Sequence, residues 1–231
     1  IRPYILYYDI EDKEQVIYGP FYSIGKEAVI TWEVPDTQGM SIFKLGYEVS
    51  SKTRFDGSVV IYSIDWKGAP AKFAQKGMLM TSIWNTNPLW LAGFASSAVQ
   101  FAADFKRTYC VSNVEEDGLV TIGSREWKDY SVTSTLYYSL HQSGGLVLRS
   151  RGHRRYYGAI LSGYQTAILY VQKDGKRTIL GQVPYAYVED KGYKLTFQVK
   201  GNKLTFKIND QIILEAEDDT YVSGGAGFVI S

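Results

Sequence analysis

Three pairs of turn-forming residues divide the second half of the chain into hairpins. Each pair lies between two runs in which apolar and polar residues alternate; the pairs are Asp174-Gly175, Gly201-Asn202 and Asn209-Asp210. Pairs of this composition adopt the positive φ angles that a tight two-residue hairpin requires. The sequence therefore predicts antiparallel strands at short spacing, as in a β-sandwich.

The rest of the chain also has the pattern of a sheet protein. Its 231 residues include 19 Tyr, 10 Phe, 5 Trp and 22 Gly, a composition that strands and their turns favour. Apolar residues alternate over residues 28–34 and 43–49, whereas residues 58–66 are apolar on both faces and indicate a central strand. We predict an all-β protein of two antiparallel β-sandwich modules, residues 1–75 and residues 76–231, joined near the Gly68 to Pro70 turn.

Composition argues against several classes of partner. Lys plus Arg is 25 and Asp plus Glu is 24, so the chain has almost no net charge. We therefore expect no overall electrostatic attraction to nucleic acid. No apolar run approaches the roughly 18 residues of a membrane span, and we expect no membrane partner. The single Cys110 and two histidines argue against a disulfide framework and a zinc site, and the lone thiol weakly favours the cytoplasm. The chain begins at Ile1, so we expect that residues preceding it were removed.

We predict no catalytic residues and no cofactor. Neither histidine has a neighbouring acid or a nucleophile motif of the kind that a catalytic triad requires. The acidic residues 115–117 and 215–219 lie in turns or beyond a hairpin, rather than facing each other as a glycosidase pair does. Their oxygen atoms leave Ca²⁺ binding open, although the spacing is not that of an EF-hand.

The hairpin of residues 144–163 provides the first candidates for ligand binding. Leu146 and Leu148 are expected to face the core, which would send Arg149 and Arg151 to the opposite face, with Tyr157 across from Arg149. A guanidinium beside a phenol ring suits a sugar that carries a phosphate or a carboxylate. The competing interpretation is a solvated hairpin tip.

Two tryptophans provide the second set of candidates. Trp84 and Trp90 flank a polar turn, where they could form an exposed platform for the apolar face of a sugar. Packing in the junction between the two modules is the alternative interpretation of the same pair.

Several segments occur in an order that resembles known proteins. They are residues 31–39, 57–70, 118–130, 145–149, 155–157, 193–195, 201–202 and 224–227. Through these segments the second module resembles the concanavalin A-like or laminin-G-like sandwich, and the first resembles a galactose-binding-like module. Together they are similar to the C-terminal extension of bacterial ADP-ribosylglycohydrolase family proteins. The resemblance implies a jelly-roll fold for residues 76–231 and a covalently linked helical hydrolase domain, none of whose catalytic residues lies in this chain.

The leading hypothesis is therefore a non-catalytic region that binds a carbohydrate or an ADP-ribose-like ligand beside a hydrolase. The first alternative is a structural module that holds a catalytic domain or a partner and binds no ligand. The second is a β-sandwich glycoside hydrolase.

Overall fold

The chain was examined as a computed structural model, which describes residues 1–9, 11, 13–23, 27–40, 42–54, 56–72, 93–104, 108–114, 116–139 and 143–231. The described residues are almost entirely β-strand and connecting segments, which confirms the predicted all-β class. They divide into two compact units, residues 1–93 with 103–109 and residues 94–102 with 110–231. The predicted boundary near residue 75 falls within residues 73–92, which lie outside the described residues, and it stays a prediction. No helix among the described residues is long and apolar enough to cross a membrane.

The first unit contains a three-stranded antiparallel sheet in the order β2-β1-β3. Its strands are β1 (Arg2–Tyr8), β2 (Glu14–Tyr18) and β3 (Ile42–Glu48). Arg2 of the central strand contacts both edge strands of this sheet. Its guanidinium forms an ion pair with Glu48 of β3 at 2.7 Å and lies 3.8 Å from the ring centroid of Tyr18 in β2. The strand predicted over residues 43–49 is thus confirmed.

Two other strands predicted in this unit are wrong. Residues 28–34 and the described residues of 56–70 form no strand, and residues 56–70 are exposed throughout. Trp66, at the end of the predicted central strand, is 76% exposed, while Trp32 is half-buried. Alternation and apolarity favour a strand only where a neighbouring strand supplies hydrogen bonds, and these segments have no such neighbour among the described residues.

The second unit is a sandwich of a seven-stranded and a four-stranded sheet. The seven-stranded order is β12-β11-β10-β9-β16-β7-β4 and the four-stranded order is β15-β14-β13-β8. A separate pair of strands, β5 and β6, includes residues 103–104 and 108–109, which belong to the first unit. The strands are β4 (Ala95–Ser96), β5 (Gln100–Asp104), β6 (Thr108–Ser112), β7 (Gly118–Ile122), β8 (Tyr130–Tyr137), β9 (Gly144–Ser150), β10 (Arg155–Ser162), β11 (Thr166–Lys173), β12 (Lys176–Pro184), β13 (Gly192–Lys200), β14 (Lys203–Ile208), β15 (Gln211–Glu217) and β16 (Gly225–Ile230).

All three predicted hairpin turns are confirmed. Asp174 and Gly175 connect β11 to β12 with φ angles of 50° and 87°, and the turn between β14 and β15 also has two positive φ angles, at Asn209 and Asp210. The third pair connects β13 to β14 directly, where Lys200 lies opposite Lys203. Positive φ at two successive residues gives the tight turn that matches the twist of the flanking strands.

The sandwich core lies between the two sheets. Leu146 and Leu148 of β9 are fully buried there, as predicted, and pack in one cluster with Leu195 and Phe197 of β13 and Phe206 of β14. The outer face of the four-stranded sheet is polar. The opposite face of the seven-stranded sheet, by contrast, carries a second buried apolar cluster, formed by Leu119, Val147, Tyr156, Ile160, Tyr170 and Val229. Both faces of the larger sheet are therefore apolar at its centre.

Candidate functional site

Arg149, a predicted ligand-binding residue, is held inside the protein. It is 3% exposed, and its guanidinium donates to the carbonyl of Lys128 at 3.1 Å, the carbonyl of Tyr221 at 2.8 Å and the carboxylate of Asp129 at 3.2 Å. Its φ of 48° interrupts the strand geometry from which an outward side chain was predicted. The predicted exposure of Arg149 is therefore wrong, and its role as a ligand contact stays a prediction.

Tyr157 is also part of the core. It is fully buried and lies opposite Leu148 rather than opposite the arginine that follows. Its hydroxyl donates to the Asp218 carboxylate at 2.6 Å and accepts from the backbone N–H of Tyr221 at 3.0 Å. Burial raises the pKa of Tyr157, and the bond to Asp218 raises it further, so the phenol stays protonated. Tyr157 thus fixes the segment between β15 and β16.

The other predicted contacts remain untested. Arg151 is exposed at the hairpin tip, where a ligand can reach it. Trp84 and Trp90 lie outside the described residues, so the tryptophan platform stays a prediction. Within the described part of the chain, no three His, Cys, Asp or Glu side chains gather as a metal site requires.

The outer face of the seven-stranded sheet carries a polar cluster that the sequence analysis missed. Tyr156 of β10 lies opposite Gln172 of β11, which lies opposite Arg177 of β12, so these three side chains form one row across the sheet. Tyr170 lies on the same face of β11, and Asp117 immediately precedes β7. We call these five residues the Asp117 cluster.

The Asp117 carboxylate organises the cluster. Its Oδ2 accepts hydrogen bonds from the Tyr156 hydroxyl and from the Arg177 guanidinium, each at 2.5 Å. The same guanidinium lies 4.1 Å from the ring centroid of Tyr170, and the two tyrosine rings meet edge to face at 6.0 Å. The side chains of Asp117 and Arg177 are 16% and 32% exposed, so this ion pair forms the accessible rim over two buried phenols.

Burial sets the charges of the cluster. It raises the pKa of Tyr156, and the proximity of Tyr170 and of the Asp117 carboxylate raises it further. Burial likewise raises the pKa of Tyr170. Burial lowers the pKa of Arg177, but Tyr170 and the bond to Asp117 outweigh this effect and leave that pKa raised. At neutral pH the cluster therefore has two neutral phenols and one ion pair, with no net charge.

Two buried polar atoms of the cluster lack a hydrogen bond. Among the residues that the structure describes, none donates a hydrogen bond to the carbonyl oxygen Oε1 of Gln172, and the Tyr170 hydroxyl interacts with Tyr156 without the geometry of a hydrogen bond. An unsatisfied buried polar group costs about 1 to 3 kcal/mol. A water or a bound molecule can satisfy such a group.

Gly158 makes the position of Tyr170 possible. The glycine lies opposite Tyr170 in the next strand, and a Cβ atom at residue 158 would overlap the end of the tyrosine ring. The ring therefore lies flat over β10 instead of standing away from the sheet.

The cluster gave little local signal in the sequence. Asp117 was assigned to an acidic turn, and its partner Arg177 is 60 residues away. One local pattern did indicate it: Tyr156, Gly158 and Ile160 alternate along β10, which points to a second apolar face on that strand.

Solved structures are similar to part of this chain. The carbohydrate-binding module CBM66 from Bacillus subtilis matches with a TM-score of 0.54 and 15% identity, over 63% of this chain and 88% of that one. A Bacillus subtilis protein of unknown function with a galectin-like fold matches at a TM-score of 0.48 and 14% identity, over 63% and 86% of the two chains. Domain 4 of AbnA, an extracellular arabinanase from Geobacillus stearothermophilus solved with arabinotriose, matches at 0.40 and 11%, over 63% and 82%.

No protein-family model matches the chain, and no curated protein is similar to it. At 15% identity, the match to CBM66 shows a common sandwich fold.

Proposed function

We propose that this chain is a non-catalytic, saccharide-binding region and that the Asp117 cluster is its binding site. The observation that carries the proposal is an ion pair at an accessible rim, beside a buried acceptor to which no described residue donates a hydrogen bond. Sugars bind at such sites because their hydroxyl groups both donate and accept hydrogen bonds. The fold shared with a carbohydrate-binding module supports the same class of ligand.

The charges of the cluster favour a neutral sugar. The positive charge of Arg177 is compensated by Asp117 at 2.5 Å, so little charge is left for a phosphate. Arg177 still has donors for a sugar hydroxyl, and Gln172 Oε1 can accept one. An ADP-ribose-like ligand, the other expectation from the sequence, would have to break the Arg177–Asp117 pair.

The same geometry supports a binding role over hydrolysis. A glycosidase needs two carboxyl groups that flank the scissile bond. The Asp117 cluster has one carboxylate, and that carboxylate is already bound by a phenol and a guanidinium.

The test is a glycan array followed by calorimetric titration. We expect the chain to retain a neutral mono- or oligosaccharide and to bind ADP-ribose more weakly. Arg177→Gln should reduce affinity about tenfold or more, since a hydrogen bond to a charged group contributes roughly 1.5 to 3 kcal/mol. The matched control is Arg155→Gln, which removes an exposed arginine that pairs with Asp174 in the neighbouring hairpin.

Two results would contradict this assignment. If no saccharide binds the unaltered chain, the structural-module hypothesis replaces the binding hypothesis. If both arginine variants bind like the unaltered chain, the ligand site lies elsewhere, and Arg151 at the hairpin tip is then the next residue to replace.

We further propose that the chain accompanies a hydrolase of the ADP-ribosylglycohydrolase type. The support is the ordered resemblance of its segments to the C-terminal extension of that family. The complete reading frame provides the test, since it should encode a helical domain with metal-binding carboxylates. A reading frame without such a domain would rule this parent out.

A further inference from the structure

The outer face of the four-stranded sheet contains a groove. The Asp117 cluster, by contrast, lies on the seven-stranded sheet. The volume of the groove is about 240 Å³, and it is lined by Gln198, Lys200, Lys203, Thr205, Lys207, Ile212 and Glu215. These residues share a face because they alternate along β13, β14 and β15 with the residues that face the core. We call this surface the lysine groove.

Positive charge exceeds negative charge in the lysine groove. Lys200 and Lys203 lie directly opposite each other across a hairpin, an arrangement of like charges that weakens a strand pair. Lys203 is compensated by Glu215 at 2.9 Å, but neither Lys200 nor Lys207 forms an ion pair with any residue that the structure describes.

The nearby carboxylates do not cancel this excess. Glu215 is already bound by Lys203 and by the Thr205 hydroxyl at 3.1 Å, and these bonds lower its pKa, so it stays ionised but occupied. Glu217 faces Lys203 across β14 and β15, and Asp210 binds Lys194 at 2.8 Å. Lys200 and Lys207 therefore carry the positive charge that a ligand can bind.

The lysines along β14 are spaced as the charges of an extended ligand are. Lys203 and Lys207 are four residues apart on β14, which places them about 13 Å apart along the strand. Between them lie the neutral donors and acceptors of Gln198 and Thr205, and Ile212 adds an exposed apolar side chain opposite Lys207. A polymer with repeated anionic groups, hydroxyls and apolar C–H faces would contact all of these features.

We infer that the lysine groove binds an acidic polysaccharide chain, one that carries carboxylate or sulfate groups. Single-stranded nucleic acid is also an extended polyanion, but its binding sites stack bases on aromatic side chains, and the groove is lined by none. The inference concerns a different sheet from the proposed saccharide site, so either can fail without the other.

Titration with polygalacturonate, with neutral galactan as the comparison, tests the inference. We expect polygalacturonate to bind the whole chain and galactan not to compete for this site. Affinity should fall steeply with added salt, because the screening length decreases from about 30 Å at 0.01 M to about 8 Å at 0.15 M ionic strength.

The double variant Lys200→Gln/Lys207→Gln should weaken polygalacturonate binding about tenfold or more, while keeping the Lys203–Glu215 pair and the fold. The matched control is Lys52→Gln/Lys67→Gln, which removes two exposed lysines from the first unit and makes the same change in net charge. Circular dichroism verifies that both variants keep their strands.

Three outcomes would overturn the inference. The first is the absence of polygalacturonate binding, and the second is equal affinity of both double variants. The third is an affinity for oligothymidylate as high as that for polygalacturonate, which would show a general polyanion site.

Discussion

At the scale of single residues, Arg149 was predicted to bind a ligand, but its buried hydrogen bonds stabilise the fold. The backbone N–H of Arg149 donates to the Tyr130 hydroxyl at 2.8 Å, and that hydroxyl lies 2.8 Å from the carbonyl of Gly224. With its guanidinium on Tyr221 and Asp129, Arg149 connects β8, β9 and the segment before β16. A buried arginine with all of these partners is worth more to stability than an exposed one.

Arg149→Ala should therefore lower the free energy of unfolding by about 3 kcal/mol, since it leaves two carbonyl oxygens without their charged donor. Arg151→Ala, at the exposed tip of the same hairpin, should change it by less than about 0.5 kcal/mol. Chemical denaturation of the two variants provides the comparison. Equal stabilities would show that the bonds of Arg149 add nothing net.

At the scale of elements, the hairpins were predictable, whereas two strands outside them, over residues 28–34 and 58–66, were predicted wrongly. Residues such as Asn209 and Gly175 encode a turn locally, so the strands on both sides follow. Residues 58–66 have a strong strand composition, but pairing depends on distant residues that composition does not reveal. The Asp117 cluster was missed for the same reason, because its members come from strands that only the folded sheet places side by side.

The segment between β15 and β16 depends on an ionised carboxylate. Burial raises the pKa of Asp218, but its hydrogen bonds with Thr220 and Tyr157 outweigh that effect and hold the pKa below its usual range. Stability from a lowered pKa is present above the unfolded value, near 3.9, and is lost as the pH falls through the folded value.

Asp218→Asn should consequently be less stable than the unaltered chain at pH 6, and this difference should shrink at pH 3. Urea denaturation at the two pH values measures it. Asp219→Asn, which removes the exposed neighbouring carboxylate, is the control and should change the stability at pH 6 less than Asp218→Asn does. A difference for Asp218→Asn that is independent of pH would contradict the role of its charge.

At the scale of the whole molecule, the two units differ in how much of their chain is protected. Strands of the second unit run almost continuously from β9 to β16, whereas residues 56–72 of the first unit are exposed and outside any strand. Exposed backbone without ladder hydrogen bonds is the preferred substrate of proteases.

Limited trypsin digestion should accordingly cut first at Lys52, Arg54, Lys67 or Lys72 and leave a resistant fragment that contains residues 143–231. Mass spectrometry of the early products identifies the cuts. Early cleavage inside β9 to β16, where exposed lysines such as Lys194 lie within paired strands, would show that the second unit opens as readily as the first.

The close approach of Tyr170 to Gly158 also constrains how this sequence can change over time. Any side chain at residue 158 collides with the aromatic ring at residue 170, so the glycine can be replaced only after the tyrosine has become small. Loss of the tyrosine first removes the ring on which Arg177 lies. Among descendants of this chain, the two positions should therefore covary, and lineages that abandon the pair should change Arg177 as well.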